Sequence, residues 1–120
     1  MSFRLRNAYR ERYVPVAVAA SSALELPELT AIRQRGGTVP QIEVTANGAD
    51  TIVAFGGSGV TANNTVDGIT AQRDAGMYML KDGAVMIFEL PDSAHTHVST
   101  LSQDGTSTGN VIMRFGNGEL

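Results

Sequence analysis

The sequence predicts a mainly β protein: an antiparallel β-sandwich or jelly-roll-like barrel of roughly 6–8 short strands, with an extended, partly helical N-terminal arm. Two observations support this prediction. From residue 40 to residue 118, short apolar and β-branched runs alternate with turn signals, a pattern typical of sandwiches and small barrels. Ahead of this body, the first 35 residues carry six of the nine basic side chains. We therefore divide the chain into an arm and lead-in, residues 1–38, and a β-sandwich domain, residues 39–120.

The composition fits a globular domain with many turns. The chain has 120 residues, of which 42% are hydrophobic and 18% charged, and it contains 13 glycines. This length can bury a modest core, and the glycine content suits tight turns. Because there is no cysteine, disulfides and thiolate metal sites are excluded. No apolar run approaches the roughly 20 residues that span a bilayer, so we expect no membrane partner.

The N-terminal third predicts two short helices and an extended segment. Residues 3–13 contain neither glycine nor proline and are expected to form a short helix. Residues 14–20 are rich in β-branched side chains, and Pro15 makes them an edge strand or arm rather than a central strand. A proline at the first turn and a glycine pair after the last predict a further helix over residues 27–35.

Strands dominate the rest of the chain. The alternating residues 41–46 predict a strand, and Asn47-Gly48 is a strong hairpin signal that joins it to a returning strand over residues 51–55. The run at residues 84–90 is the most apolar and is expected to be the central core strand. Further strands are predicted over residues 76–80, 97–102 and 109–115, with turns at Asp82-Gly83 and Asp104-Gly105.

Charge is divided unevenly along the chain. Residues 1–35 hold six arginines and three glutamates, a balance of +3, whereas residues 36–120 hold three basic and nine acidic side chains, a balance of −6. Arginine and tyrosine are enriched in protein–protein interfaces, which favours a docking arm on a protein partner over a solvated lead-in. Nucleic acid is not the expected partner, because no basic stripe continues into the acidic body. The predicted partner-binding residues are Arg4, Arg6, Tyr9, Arg10, Arg12 and Tyr13.

No motif in the chain predicts catalysis or cofactor binding. Residues 57–62 fit a dinucleotide fingerprint, but a poor helix former follows them and the βαβ alternation is missing. Asp92, Ser93 and His95 supply the side-chain types of a triad, although a triad is a spatial arrangement and not a spacing. His95 and His97 would share a strand face, yet no third metal ligand has a recognisable spacing; a metal on a symmetry axis is the remaining alternative. We predict a non-enzymatic protein without catalytic residues, cofactor, metal or small-molecule substrate.

Six stretches of the body carry a resemblance to a known group of proteins. They are residues 42–45 with 50–56 (IEVT and DTIVAFG), 58–62 (SGVTA), 80–91 (LKDGAVMIFELP), 95–101 (HTHVSTL) and 116–119 (GNGE). In these residues the chain resembles small virion proteins of tailed bacteriophages, of the capsid decoration (cement) or head-associated type.

The resemblance implies a β-sandwich on the exterior of the virion capsid. Its partner would be the major capsid protein, and many copies, as a homo-oligomer (trimer or dimer), would bridge neighbouring capsomers. A head–tail connector or another minor virion component is the alternative. A carbohydrate-binding module is a further alternative, which the absence of tryptophan disfavours.

Overall fold

The computed structural model describes residues 11–19, 22–34, 39–63 and 77–116. Within these residues the fold is mainly β, as predicted, with eight strands and one helix. The elements are β1 (Glu11–Pro15), β2 (Leu24–Glu25), α1 (Pro27–Gln34), β3 (Gln41–Asn47), β4 (Thr51–Gly56), β5 (Met77–Leu80), β6 (Val85–Glu89), β7 (His97–Ser102) and β8 (Asn110–Gly116).

The strands form two four-stranded antiparallel sheets. Sheet A has the order β1-β8-β3-β6, and sheet B has the order β2-β7-β4-β5. Strands pair from the outside of the chain inwards: β1 with β8, β2 with β7, β3 with β6 and β4 with β5. Two further ladders, β3 with β8 and β4 with β7, complete the sheets. This nested order is that of a jelly roll, an eight-stranded double sheet, and it confirms the predicted sandwich.

The main core lies between the sheets. Alternate residues of the two central strands of sheet A point into it, namely Ile42, Val44 and Ala46 of β3 and Val111, Met113 and Phe115 of β8, all fully buried. At the β6 side, the Phe88 ring lies 5.1 Å from the Phe55 ring and 5.0 Å from the Tyr78 ring, measured between centroids. These two contacts join sheet A to sheet B, because Phe55 and Tyr78 belong to β4 and β5.

Helix α1 belongs to the same core, and the predicted helix over residues 27–35 is confirmed. Leu29 and Ile32 lie on one face of α1 and are fully buried. The guanidinium group of Arg33 donates hydrogen bonds to the carbonyl oxygens of Leu90, Asp92 and His95, at 3.0, 2.8 and 2.8 Å. Burial lowers the pKa of Arg33. The three carbonyls accept from its Nη1 and Nη2 groups, whereas its buried Nε has no hydrogen-bond partner. The side chain therefore fixes the β6–β7 connection to the helix.

The expected β3–β4 hairpin is wrong, because the two strands lie in different sheets. Gly48 does turn the chain, with a φ of 101°, and its N–H donates to the Asp82 carboxylate at 2.8 Å. A Cβ atom on Gly109 would lie 2.5 Å from the carbonyl oxygen of Asn47, so the start of β8 packs directly against this turn. These tertiary contacts make the turn a corner between the sheets.

Two further expectations are wrong. Residues 84–90 do not form the central strand, because β6 lies at the edge of sheet A and only Phe88 among its five residues is buried. The helix expected over residues 3–13 does not form at its C-terminal end, where residues 11–13 belong to β1. The remainder of that expected helix, residues 3–10, lies outside the described residues.

The two sheets differ in how their outer faces are covered. On sheet B a second apolar cluster packs outside the main core, formed by Ile52, Ala54, Met77 and Leu101 with Ala62 from the segment after β4. Strand β4 is consequently buried on both of its faces over residues 51–55. No comparable cluster of described residues covers the outer face of sheet A, and this face is the candidate site.

Candidate functional site

The outer face of sheet A is formed by the side chains that alternate with the core. In β3 and β8, Val44 and Met113 point inward and are fully buried. Their neighbours Glu43 and Arg114 point outward, and side-chain exposure is 25% and 51%. Residues directly opposite each other in neighbouring strands share a face, so the strand register gives the composition of the whole surface.

The register arranges the outward side chains in two rows across the four strands. The first row is mostly apolar and runs Tyr13, Ile112, Thr45, Val85; the second runs Glu11, Arg114, Glu43, Ile87. We call these eight residues the docking face. Tyr13 and Val85, at its two ends, are 64% and 56% exposed. An apolar row beside an alternating charged row combines anchoring contacts with orienting charges, as protein-binding surfaces do.

The charged groups of the docking face have partners within that face. The Arg114 guanidinium lies 3.5 Å from the Glu43 carboxylate. The Tyr13 hydroxyl donates a 2.8 Å hydrogen bond to Glu11. This bond, together with the negative charge of Glu11, raises the pKa of Tyr13, so the phenol keeps its proton. The arrangement offers one aromatic ring and both signs of charge, and it offers no nucleophile or proton-transfer pair.

The structure separates the two predicted arm residues that it describes. Tyr13 points outward onto the docking face, whereas Arg12, its neighbour in β1, points inward towards α1. The Arg12 side chain, 29% exposed, lies 3.2 Å from the Glu28 carboxylate, which is 6% exposed, and it also donates to the carbonyl oxygen of Glu25 at 3.2 Å. Arg12 thus ties β1 to the helix. The other predicted residues, Arg4, Arg6, Tyr9 and Arg10, lie outside the described residues, and their role stays a prediction.

Sequence reasoning missed the apolar residues of the docking face. Val85 and Ile87 fall in the run that was assigned wholly to the core. The signal was present as alternation, since Met86 and Phe88 pair opposite the buried residues of β3 while Val85 and Ile87 point the other way. In a run of consecutive apolar residues this alternation becomes visible only once the partner strand is known.

The described part of the chain presents few grouped side chains for metal binding or acid–base chemistry. There, no group of three or more histidine, cysteine or acidic side chains is placed to hold a metal ion. The His97 ring nitrogen Nδ1 lies 2.7 Å from the Thr96 hydroxyl. A pocket of about 240 Å³ is lined by Asp50, Asp82 and Asp104. Their carboxylates accept hydrogen bonds from the backbone N–H groups of Asp82, Gly48 and Ser107, respectively. The helix of the described region is too short to cross a membrane.

Comparison with solved structures gives distant likenesses. No family model and no curated protein matches the chain. One similar solved structure comes from Bacillus endospore appendages, a family of disulfide-linked pili: identity is 12%, coverage 96% of this chain and 93% of the other, and the TM-score 0.45. Another is the Tobacco streak virus coat protein dimer, with 10% identity, coverage of 99% and 92%, and a TM-score of 0.39. Both are structural proteins, one of a pilus and one of a virus coat, and neither likeness decides what this chain does.

Proposed function

We propose that this chain is a non-enzymatic virion structural protein that binds the exterior of an assembled capsid and stabilises it by bridging neighbouring capsomers. The observation that carries the proposal is the uncovered outer face of sheet A, with its apolar row beside a charged row. The resemblance of the body to capsid decoration proteins supplies the partner, the major capsid protein.

The docking face suits a contact that is repeated many times. Tyr13 and Ile112 anchor the apolar row, and Glu11, Arg114 and Glu43 set the orientation through charge complementarity, which contributes more to specificity than to affinity. A single small contact of this kind is weak. When many copies bind a regular shell and are linked, the effective concentration makes the lattice stable without any further contact.

The docking face is tested by a double variant, Tyr13→Ser with Ile112→Gln, that changes two outward side chains of the apolar row. The assay is co-sedimentation with empty shells of the particle from which the chain comes. We expect at least a tenfold loss of shell affinity, about 1.4 kcal/mol. The matched control is Met79→Ser, which changes a 40% exposed side chain in sheet B and should bind as the unchanged protein does. Equal binding by both variants would reject the docking face.

The copy number in the particle separates decoration from the connector alternative. A decoration protein occupies every equivalent position of the shell and is present in hundreds of copies. A connector is present as a single ring. Quantitative mass spectrometry of purified particles, referred to the major capsid protein, distinguishes the two. A free monomer with no particle association would reject the virion role.

A further inference from the structure

Strand β6 is an edge strand without the features that usually protect an edge. Sheet edges are commonly blunted by proline, by lysine, or by shortness. The other edges of the described part are β1, β2 and β5. Strand β1 carries Pro15 and two charged residues, β2 is two residues long, and β5 is four residues long. Strand β6 reads VMIFE. It exposes Val85 and Met86, at 56% and 40%, and contains no proline, glycine or lysine.

The backbone of β6 presents hydrogen-bonding groups to this edge. In an antiparallel ladder, alternate residues bond to the neighbouring strand. The Ala46 N–H donates to the carbonyl oxygen of Ala84, and the Leu90 N–H donates to that of Pro40, so the even-numbered residues around β6 bond to β3. The N–H and C=O groups of the odd-numbered residues, Val85, Ile87 and Glu89, consequently point away from β3. They form a template for one more strand.

The sequence of residues 3–10 is suited to this template. Its odd-numbered positions include Phe3, Leu5 and Tyr9, and its even-numbered positions include three arginines, Arg4, Arg6 and Arg10. This two-residue alternation is typical of a strand. The segment contains no acidic residue, whereas β6 ends in the exposed Glu89 and is followed by the exposed Asp92.

Strand β1, which follows this segment in the chain, lies far from β6 in its own sheet. Strands β1 and β6 lie at opposite edges of sheet A, with β8 and β3 between them. Continuing the β1–β8 register, in which Glu11 lies opposite Arg114, would place residue 9 beside Gly116, the last described residue of β8. Residues 3–10 contain no glycine or proline with which to fold back sharply over the sheet. A neighbouring copy is therefore the better placed acceptor.

We propose that residues 3–10 of one copy add as a strand to the β6 edge of a neighbouring copy. With the apolar side turned inward, Phe3 and Leu5 cover Met86, and the arginines face the side that carries Glu89 and Glu43. Because the donor segment and the acceptor edge are different surfaces, the contact is head-to-tail and generates a ring or an open chain. The inference rests on the proposed function for its setting, since copies side by side on a shell are those that the segment would link.

A complementation experiment in solution tests this contact. The first variant lacks the donor segment, by deletion of residues 1–10, and keeps the β6 edge. The second variant has a blocked acceptor edge: Val85→Lys places a charge on the exposed β6 strand, and the N-terminal segment is kept. The unchanged protein should associate with increasing concentration, and each variant alone should stay monomeric by multi-angle light scattering. Their 1:1 mixture should form a heterodimer and nothing larger, because each complex has only one intact donor and one intact acceptor.

Circular dichroism establishes that both variants are folded. If Val85→Lys is not folded, Glu89→Arg replaces it as the variant with a blocked β6 edge. The proposal is overturned if the unchanged protein stays monomeric, if either variant alone associates as the unchanged protein does, or if the mixture stays monomeric. Shell co-sedimentation of the unchanged protein separates this result from the proposed function. Association in solution without shell binding rejects the proposed function alone, and shell binding without association rejects this contact alone.

Discussion

Phe88 gives the most direct test of how the two sheets are held together. It is the only buried side chain of β6, is 8% exposed, and meets Phe55 and Tyr78 of sheet B. Truncation of a buried phenylalanine to alanine costs about 3–5 kcal/mol. Phe88→Leu keeps most of the apolar volume and loses two aromatic contacts of about 0.5–1.5 kcal/mol each, so we expect a loss of about 2 kcal/mol.

These losses are large against the stability of a domain, which is about 5–15 kcal/mol. At about 4 °C per kcal/mol for a domain of this size, Phe88→Leu should lower the melting temperature by about 8 °C. Urea unfolding gives the free energy, and the control is Val85→Ala in the same strand, which is 56% exposed and should change stability by less than about 0.5 kcal/mol. Should Phe88→Ala be no more destabilising than this control, the ring contacts do not hold β6 to sheet B.

Three further predictions are checked by urea unfolding. Hydrogen bonds from hydroxyl and backbone N–H groups lower the pKa of Asp104. Its carboxylate therefore stabilises the fold above the ordinary aspartate pKa, and this contribution fades as the pH falls. Asp104→Asn should destabilise the protein at pH 7 by an amount that shrinks in acid, and a difference that stays constant with pH would contradict this. Gly109→Ala forces a Cβ against backbone and should cost about 1–3 kcal/mol, whereas Gly59→Ala meets no atom within 4 Å and should be neutral. Arg33→Lys cannot reproduce the three-carbonyl contact and should cost about 3 kcal/mol, against a near-neutral Arg114→Lys on the exposed docking face; equal effects would refute the role of Arg33.

Local signals in the sequence predicted elements better than their partners. The helix at residues 27–34 and the strand at residues 97–102 match the structure closely, because capping residues and alternation act over a few residues. Asn47-Gly48 was correctly a turn, but two residues specify only a reversal of the chain. Which sheet receives the next strand depends on Gly109, more than sixty positions away, and no local pattern carries that information.

The candidate site was predictable only in part for a related reason. Tyr13 was predicted as a binding residue because its segment is rich in arginine and tyrosine, and it does lie on the docking face. Arg12 was selected by the same criterion, yet strand alternation turns it to the opposite side, where Glu28 meets it. Val85 and Ile87 were assigned to the core because their run is uniformly apolar, and hydrophobicity alone does not distinguish an edge strand from a central one.

The nested pairing of the strands has a consequence for how the chain is made. Strand β1 bonds to β8, the last strand of the described residues, so sheet A cannot close until residues 110–116 have left the ribosome. Synthesis proceeds at about 5–20 residues per second, so β1 stays unpaired for several seconds before β8 is made. Pairings between distant segments also fold slowly, on a scale of about milliseconds to seconds. During this interval β3 lacks its β8 neighbour, and the apolar face that it presents to the core is left without its final packing partners.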